Sequence, residues 1–177
     1  RANPMYLGDF KFNDNLSVES DLAVALKDVD FILSVVPTSG FRATLQAIKA
    51  LNVKVPVIWA NKGLEPNTAK LPHEVALEEL GNDWAWGALS GPSFAAELVR
   101  GLPTAVTLAV NQVDFAREAG AALHGGSLRV YTSTDVSGVA VGGALKNVMA
   151  IAAGVCDGLK FGDNTKSGLL SRGLLEM

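Results

Sequence analysis

A lone charge in an apolar stretch is the first sign of chemistry in this sequence. Residues Val136 to Cys156, 21 in number, contain no proline and a single charge, Lys146. In a water-soluble protein such a segment is a core helix, and its ammonium must find a partner or shift its pKa, whether it is buried or lines a cleft. Helical spacing places Gly142, Gly143, Ala150 and Ala153 around Lys146, and small neighbours leave room for a ligand beside the amine. The other reading is a lysine that snorkels out of a helix packed tightly through its glycines; the residues alone leave both open. Length would also admit a transmembrane helix. A lysine at its centre costs about 2.5 to 3.5 kcal/mol, however, and Gly138, Gly142, Gly143 and Gly154 dilute its hydrophobicity, so no membrane span is expected.

The next candidates lie where predicted strands stop: Pro37-Thr38-Ser39, Asn61-Lys62-Gly63 and Ser90-Gly91-Pro92-Ser93. An open α/β sheet binds its ligand outside the carboxyl ends of its strands, so these three loops should line one crevice. A helix starting just after Ser93 would offer backbone N–H groups, a hydroxyl and the positive end of its dipole to an anion. Ordinary helix capping explains the same residues, and Lys62 alone reads equally well as a solvated lysine. His73 and His124 are expected to be surface or satisfied core residues, since no carboxylate stands at a useful spacing. There is no metal-ligand pattern, and neither G-x-G-x-x-G nor a Walker A loop occurs.

These groups need a scaffold, and the chain up to residue 133 supplies one in pattern. Runs such as Phe31 to Val36, Val55 to Ala60, Trp84 to Leu89, Ala105 to Val110 and Leu128 to Thr132 alternate with helix-like segments, which predicts βαβ units and a mainly parallel sheet. The run Phe31 to Val36 is apolar enough to be covered on both faces. Predicted helices begin with a turn capped by Ser20 over 21–27, then follow over 41–51, 71–80, 94–100 and 113–124. Ser133-Thr134-Asp135, three good N-cap types in a row, mark the predicted boundary between residues 1–133 and an all-helical layer over 134–177.

Composition narrows the partners. The 177 residues can bury a sizeable core, and 49% are hydrophobic against 19% charged. Fifteen Lys+Arg and eighteen Asp+Glu give a net charge of -3, which offers no footprint for nucleic acid or an anionic membrane, so a small-molecule partner is expected. The single cysteine, Cys156, excludes an intrachain disulfide framework and fits a reducing, cytoplasmic location. The N-terminal residues from Arg1 show a polar-aromatic stretch rather than a basic-then-apolar pattern, as expected for the middle of a protein.

Val35-Val36-Pro37, Asn61-Lys62-Gly63-Leu64-Glu65, Ser90-Gly91-Pro92-Ser93-Phe94-Ala95, Gly142-Gly143-Ala144-Leu145-Lys146-Asn147-Val148 and Arg172-Gly173-Leu174-Leu175-Glu176-Met177 are individually modest motifs. Together, in this order and spacing, the chain resembles the NAD(P)-dependent glycerol-3-phosphate dehydrogenases, with the bacterial type the nearer. The resemblance implies part of a Rossmann-type domain followed by the start of a helical substrate domain. It also implies hydride transfer with NAD or NADP between dihydroxyacetone phosphate and sn-glycerol 3-phosphate, feeding glycerophospholipid synthesis. By the same resemblance, Lys146 matches the catalytic lysine. Lys62 matches a second active-site lysine contacting substrate and cofactor, Gly91 and Ser93 match substrate contacts, and Ala95 matches a cofactor contact. The partner implied is a phosphorylated small molecule, and a homodimer is the assembly the family admits. The family's first strand, glycine-rich loop and second strand are expected before Arg1, and further active-site residues after Met177. The alternatives are another two-domain dehydrogenase of the 3-hydroxyacid or 6-phosphogluconate type, or a non-catalytic binding or assembly module.

Overall fold

The computed structural model describes residues 2–177. Five strands, β1 (Ile32–Ser34), β2 (Val57–Trp59), β3 (Trp86–Ser90), β4 (Thr104–Val110) and β5 (Leu128–Ser133), lie side by side in sequence order. The helices are α1 (Pro4–Leu7), α2 (Leu22–Ala25), α3 (Thr38–Ala50), α4 (Pro72–Leu80), α5 (Ala95–Val99), α6 (Val113–Leu123), α7 (Val136–Gly158) and α8 (Asp163–Glu176). All neighbouring strands are parallel except β3 and β4. Between those two the chain holds only the five-residue α5, whose rise of about 7.5 Å falls short of the crossover a parallel pair needs. The antiparallel return sets Ser90 opposite Thr107.

Strand β2 shows how the sheet is sandwiched. Val57 and Trp59 enter one buried cluster with Phe41, Leu45 and Ile48 of α3 and Val75, Ala76 and Leu80 of α4. Ile58, between them, enters the other with Leu108, Val110, Phe115, Ala116 and Ala119. Alternate side chains of one strand therefore serve two cores. On α3 the buried residues fall at positions i, i+4 and i+7, the stripe an amphipathic helix turns inward. Phe41 packs against Trp59 with ring centroids 5.4 Å apart, and Trp59 against Trp86 at 5.8 Å.

Several boundaries differ from the sequence reading. The turn predicted from Ser20 is capped instead by Asp21, whose Oδ1 accepts from the N–H groups of Ala23 (2.8 Å) and Val24 (3.3 Å), and it spans one turn only. Helix α3 starts at Thr38, so Thr38 and Ser39 are helical rather than loop. Strand β1 is not covered on both faces: it is the sheet's edge among the described residues, and Leu33 is 41% and Val35 71% exposed. The short α1 was not foreseen.

The sheet ends at Ser133 and α7 follows at once, with Asp135 Oδ1 accepting from the Gly138 N–H at 2.8 Å. Its 23 residues and mean hydropathy of 1.7 would suit a membrane span by length and composition. In the fold it instead lies against β3, β4, α4 and α8, burying Val136, Ala140, Gly143 and Cys156 while Val148, Ile151 and Val155 stay exposed.

Candidate functional site

The sheet's carboxyl edge and α7 enclose a cleft of about 300 Å³, lined by Ser90, Gly91, Pro92, Thr107, Val139, Gly142, Gly143 and Lys146. A narrower hollow adjoins it, sharing Ser90, Val139 and Gly143 and adding Trp59, Asn61 and Lys62. The two predicted lysines thus come from different layers, Lys62 from the loop after β2 and Lys146 from the middle of α7, and meet across Gly143.

Gly143 lines both hollows, where α7 runs close to the sheet. A Cβ built there would stand 3.0 Å from Ser90 Oγ and 3.6 Å from Lys62 Cγ, so even an alanine would need the Ser90 hydroxyl to give way by a few tenths of an ångström. Gly91 is constrained on the opposite wall, where a Cβ would lie 2.8 Å from the Ala105 carbonyl oxygen. Gly143 serves close approach, and Gly91 serves both close approach and a backbone at φ +157° that other residues rarely adopt.

The electrostatics of the cleft are one-sided. Among the described residues neither Lys62 nor Lys146 takes part in a salt bridge. The Lys62 ammonium donates to the Ala60 carbonyl at 3.2 Å. Its pKa is pushed below the ordinary lysine value, first by burial and then by the positive charge of Lys146. Two cations without a carboxylate, beside the hydroxyl-bearing Ser90 and Thr107, make a site that suits an anionic, oxygen-rich ligand.

Not every candidate enters the wall. Ser93 and Ala95 are exposed, just past the lining residue Pro92. Helix α5 begins at Ala95 after the N-cap Phe94 and spans five residues, so the helix dipole expected directly behind Ser93 is short and displaced along the chain. Thr38 serves the crevice indirectly, its hydroxyl donating to the Lys62 carbonyl at 2.8 Å. His124 is on the surface, as expected, beside Arg129. His73 is not fully satisfied: Nε2 meets Ser137 Oγ at 3.3 Å, while Nδ1 is buried without a partner. No cluster of three or more His, Cys, Asp or Glu side chains among the described residues is arranged to hold a metal.

Two lining residues escaped the sequence reading. Val139 carries no chemical signal. Thr107 does carry one, as the only polar residue in the run Ala105 to Val110, and pairing with Ser90 brings it to the cleft.

With this geometry in view, similarity to known proteins is consistent along the chain. Residues 1–116 match the family described as NAD-dependent glycerol-3-phosphate dehydrogenase N-terminus, and residues 135–177 match its C-terminus. A curated relative from Methylobacillus flagellatus, named glycerol-3-phosphate dehydrogenase (NAD(P)+), is 66% identical over 177 residues, which is 100% of this chain and 54% of that protein. The crystal structure of glycerol-3-phosphate dehydrogenase from Coxiella burnetii superposes with a TM-score of 0.86 at 41% identity, covering 97% of this chain and 52% of that one. A pyrroline-5-carboxylate reductase from the same organism has a TM-score of 0.51 at 15% identity over 89% of this chain and 59% of that one, which is likeness of fold alone. The chain spans about half the length of the curated relatives it matches.

Proposed function

This chain belongs to the NAD-dependent glycerol-3-phosphate dehydrogenase family, and from that premise we propose that the protein interconverts dihydroxyacetone phosphate and sn-glycerol 3-phosphate by hydride transfer with NAD or NADP. The observation that carries the reading is the pair of ammonium groups without a carboxylate partner, Lys62 and Lys146, brought to adjoining hollows by two different layers of the fold. We assign residues 1–133 to the dinucleotide-binding domain and 134–177 to the helical substrate domain, with the reaction between them.

The residues fit part of a dinucleotide. Ser34 Oγ and Asn61 Oδ1, just at and beyond the carboxyl ends of β1 and β2, are buried without hydrogen-bond partners, at the edge where such sheets receive a cofactor. In this reading Lys62 and Ala95 contact the cofactor, and Lys62, Gly91 and Ser93 contact the substrate. A bound nicotinamide supplies the hydride for reduction or takes it for oxidation.

What the chain does is manage charge and a proton. As hydride reaches the carbonyl carbon, the C=O π pair moves onto oxygen and an alkoxide develops. The Lys146 ammonium stabilises that charge and passes one proton to the oxygen, leaving a hydroxyl and a neutral amine. In the oxidative direction the neutral amine takes the hydroxyl proton back. Lys62 adds a second positive charge for the anionic substrate. The product would feed glycerophospholipid synthesis, and we place the protein in the cytoplasm without a membrane span.

In a complete enzyme containing these residues, Lys146→Met should lower kcat by about 10²- to 10⁴-fold, the usual worth of a general acid, with folding unchanged by circular dichroism. Near-normal turnover by the folded variant would overturn the assignment.

A further inference from the structure

The loop that presents Lys62 is gripped from both sides by one face of α3. On one side the Thr38 hydroxyl donates to the Lys62 carbonyl at 2.8 Å. On the other, Arg42 forms a two-pronged pair with Glu65: Nε donates to Oε1 and Nη2 to Oε2, both at 2.8 Å. Thr38 and Arg42 stand four residues apart on the same helix, one turn above the other. Between the gripped points lie only Gly63, at φ +101°, and Leu64, so the segment holding Lys62 is tied at both ends of a conformationally permissive residue.

The second grip is built with care. The Glu65 side chain is only 12% exposed, and it also accepts from the Thr68 hydroxyl at 2.6 Å. Arg42 also reaches α4, donating from Nη1 to Glu79 and from Nη2 to Glu78. A planar guanidinium engaged on several edges has one orientation available, which a lysine ammonium would not have. Both grips act on the backbone and side chains of the loop, and neither Arg42 nor Glu65 lines the cleft.

We propose that Arg42 and Glu65, with Thr38, are positioning residues of the active site: a two-point clamp from α3 that fixes the Lys62 loop so that its ammonium meets the substrate without first having to be ordered. The proposal rests on the role given to Lys62 above. Its physical basis is that misplacing a reacting or charge-stabilising group by about 1 Å can cost on the order of 10²-fold in rate.

The test is a double-mutant cycle in a complete enzyme containing these residues, because a clamp that acts through Lys62 has nothing to hold once that amine is gone. Glu65→Gln should lower kcat/KM by about 10- to 100-fold with Lys62 present, and by less than about 3-fold in the Lys62→Ala background. Thr38→Val, which deletes one hydroxyl at nearly constant volume, should show the same dependence at about 3- to 10-fold, and it decides the matter should Glu65→Gln fail to fold. Equal losses in the two backgrounds would mean a merely structural pair and overturn the clamp. If Lys62→Ala itself leaves the kinetics intact, the role of Lys62 falls and the clamp with it. If Lys62→Ala is damaging but the cycle is additive, only the clamp falls.

Discussion

At one end of the loop after β2, Lys62 shares a cleft with Lys146 and neither has a carboxylate; at the other end, Arg42 is surrounded by Glu65, Glu78 and Glu79. Only two residues separate Lys62 from Glu65. The carboxylates around Arg42 raise its pKa, and Arg42 in turn holds the Glu65 carboxyl at about 2. Burial and the like charge of Lys146 push the Lys62 pKa the other way, below the ordinary lysine value. The contrast separates two uses of charge: paired groups hold a backbone in place, while unpaired ones are held ready for something that is not part of the protein.

The largest effect should come from abolishing the contrast. Lys62→Glu would hand Lys146 a carboxylate partner and repel an anionic substrate, so kcat/KM should fall by about 10³-fold or more, while the melting temperature holds or rises because a like-charge pair has become an attractive one. Steady-state kinetics and thermal unfolding of the same sample check both halves. A variant that loses activity only by unfolding would remove the distinction.

A smaller effect is expected at the paired end. Arg42→Met leaves three carboxylates without their shared cation. Its cost should fall near 2 kcal/mol, between the value of about 1 for exposed pairs and about 3 to 5 for buried ones. For a chain of this size that lowers the melting temperature by about 4 to 8 °C, readable by calorimetry.

The smallest is a pH signature of Glu65. Its folded pKa is depressed to about 2 from 4.5, mainly by the hydrogen bond from Arg42 and next by that from Thr68. The stabilisation is therefore fully present above about pH 4.5 and is lost as pH falls toward 2. Glu65→Gln should be less stable than the parent at pH 6, and the difference should shrink over that acid window. A gap that stays constant from pH 6 to pH 3 would show that the ion pair is not its source.

Much of the scaffold was legible because hydrophobic periodicity reports burial directly. The buried run Val57-Ile58-Trp59 and the stripe Phe41, Leu45 and Ile48 could be found from spacing alone. Lys146 stood out because a charge in an apolar helix is costly. The direction of β4 was not legible, since alternation encodes faces and not polarity. Nor was the start of α3: Pro37 is fixed near φ -56° just before the helix, and Thr38 and Ser39 read equally well as caps or as first-turn residues. The grip of Arg42 on Glu65 was invisible for another reason. The two lie 23 residues apart, and single charges on amphipathic surfaces look alike until the fold brings them face to face.

The tilted, touching rings of Phe41, Trp59 and Trp86 have a use outside stability. Trp59 belongs both to that ring cluster and to the lining of the hollow that holds Lys62, and it is only 1% exposed. Its indole emission should therefore respond when the Lys62 loop loosens or when a ligand settles into the hollow, which gives the protein a built-in optical gauge of that loop.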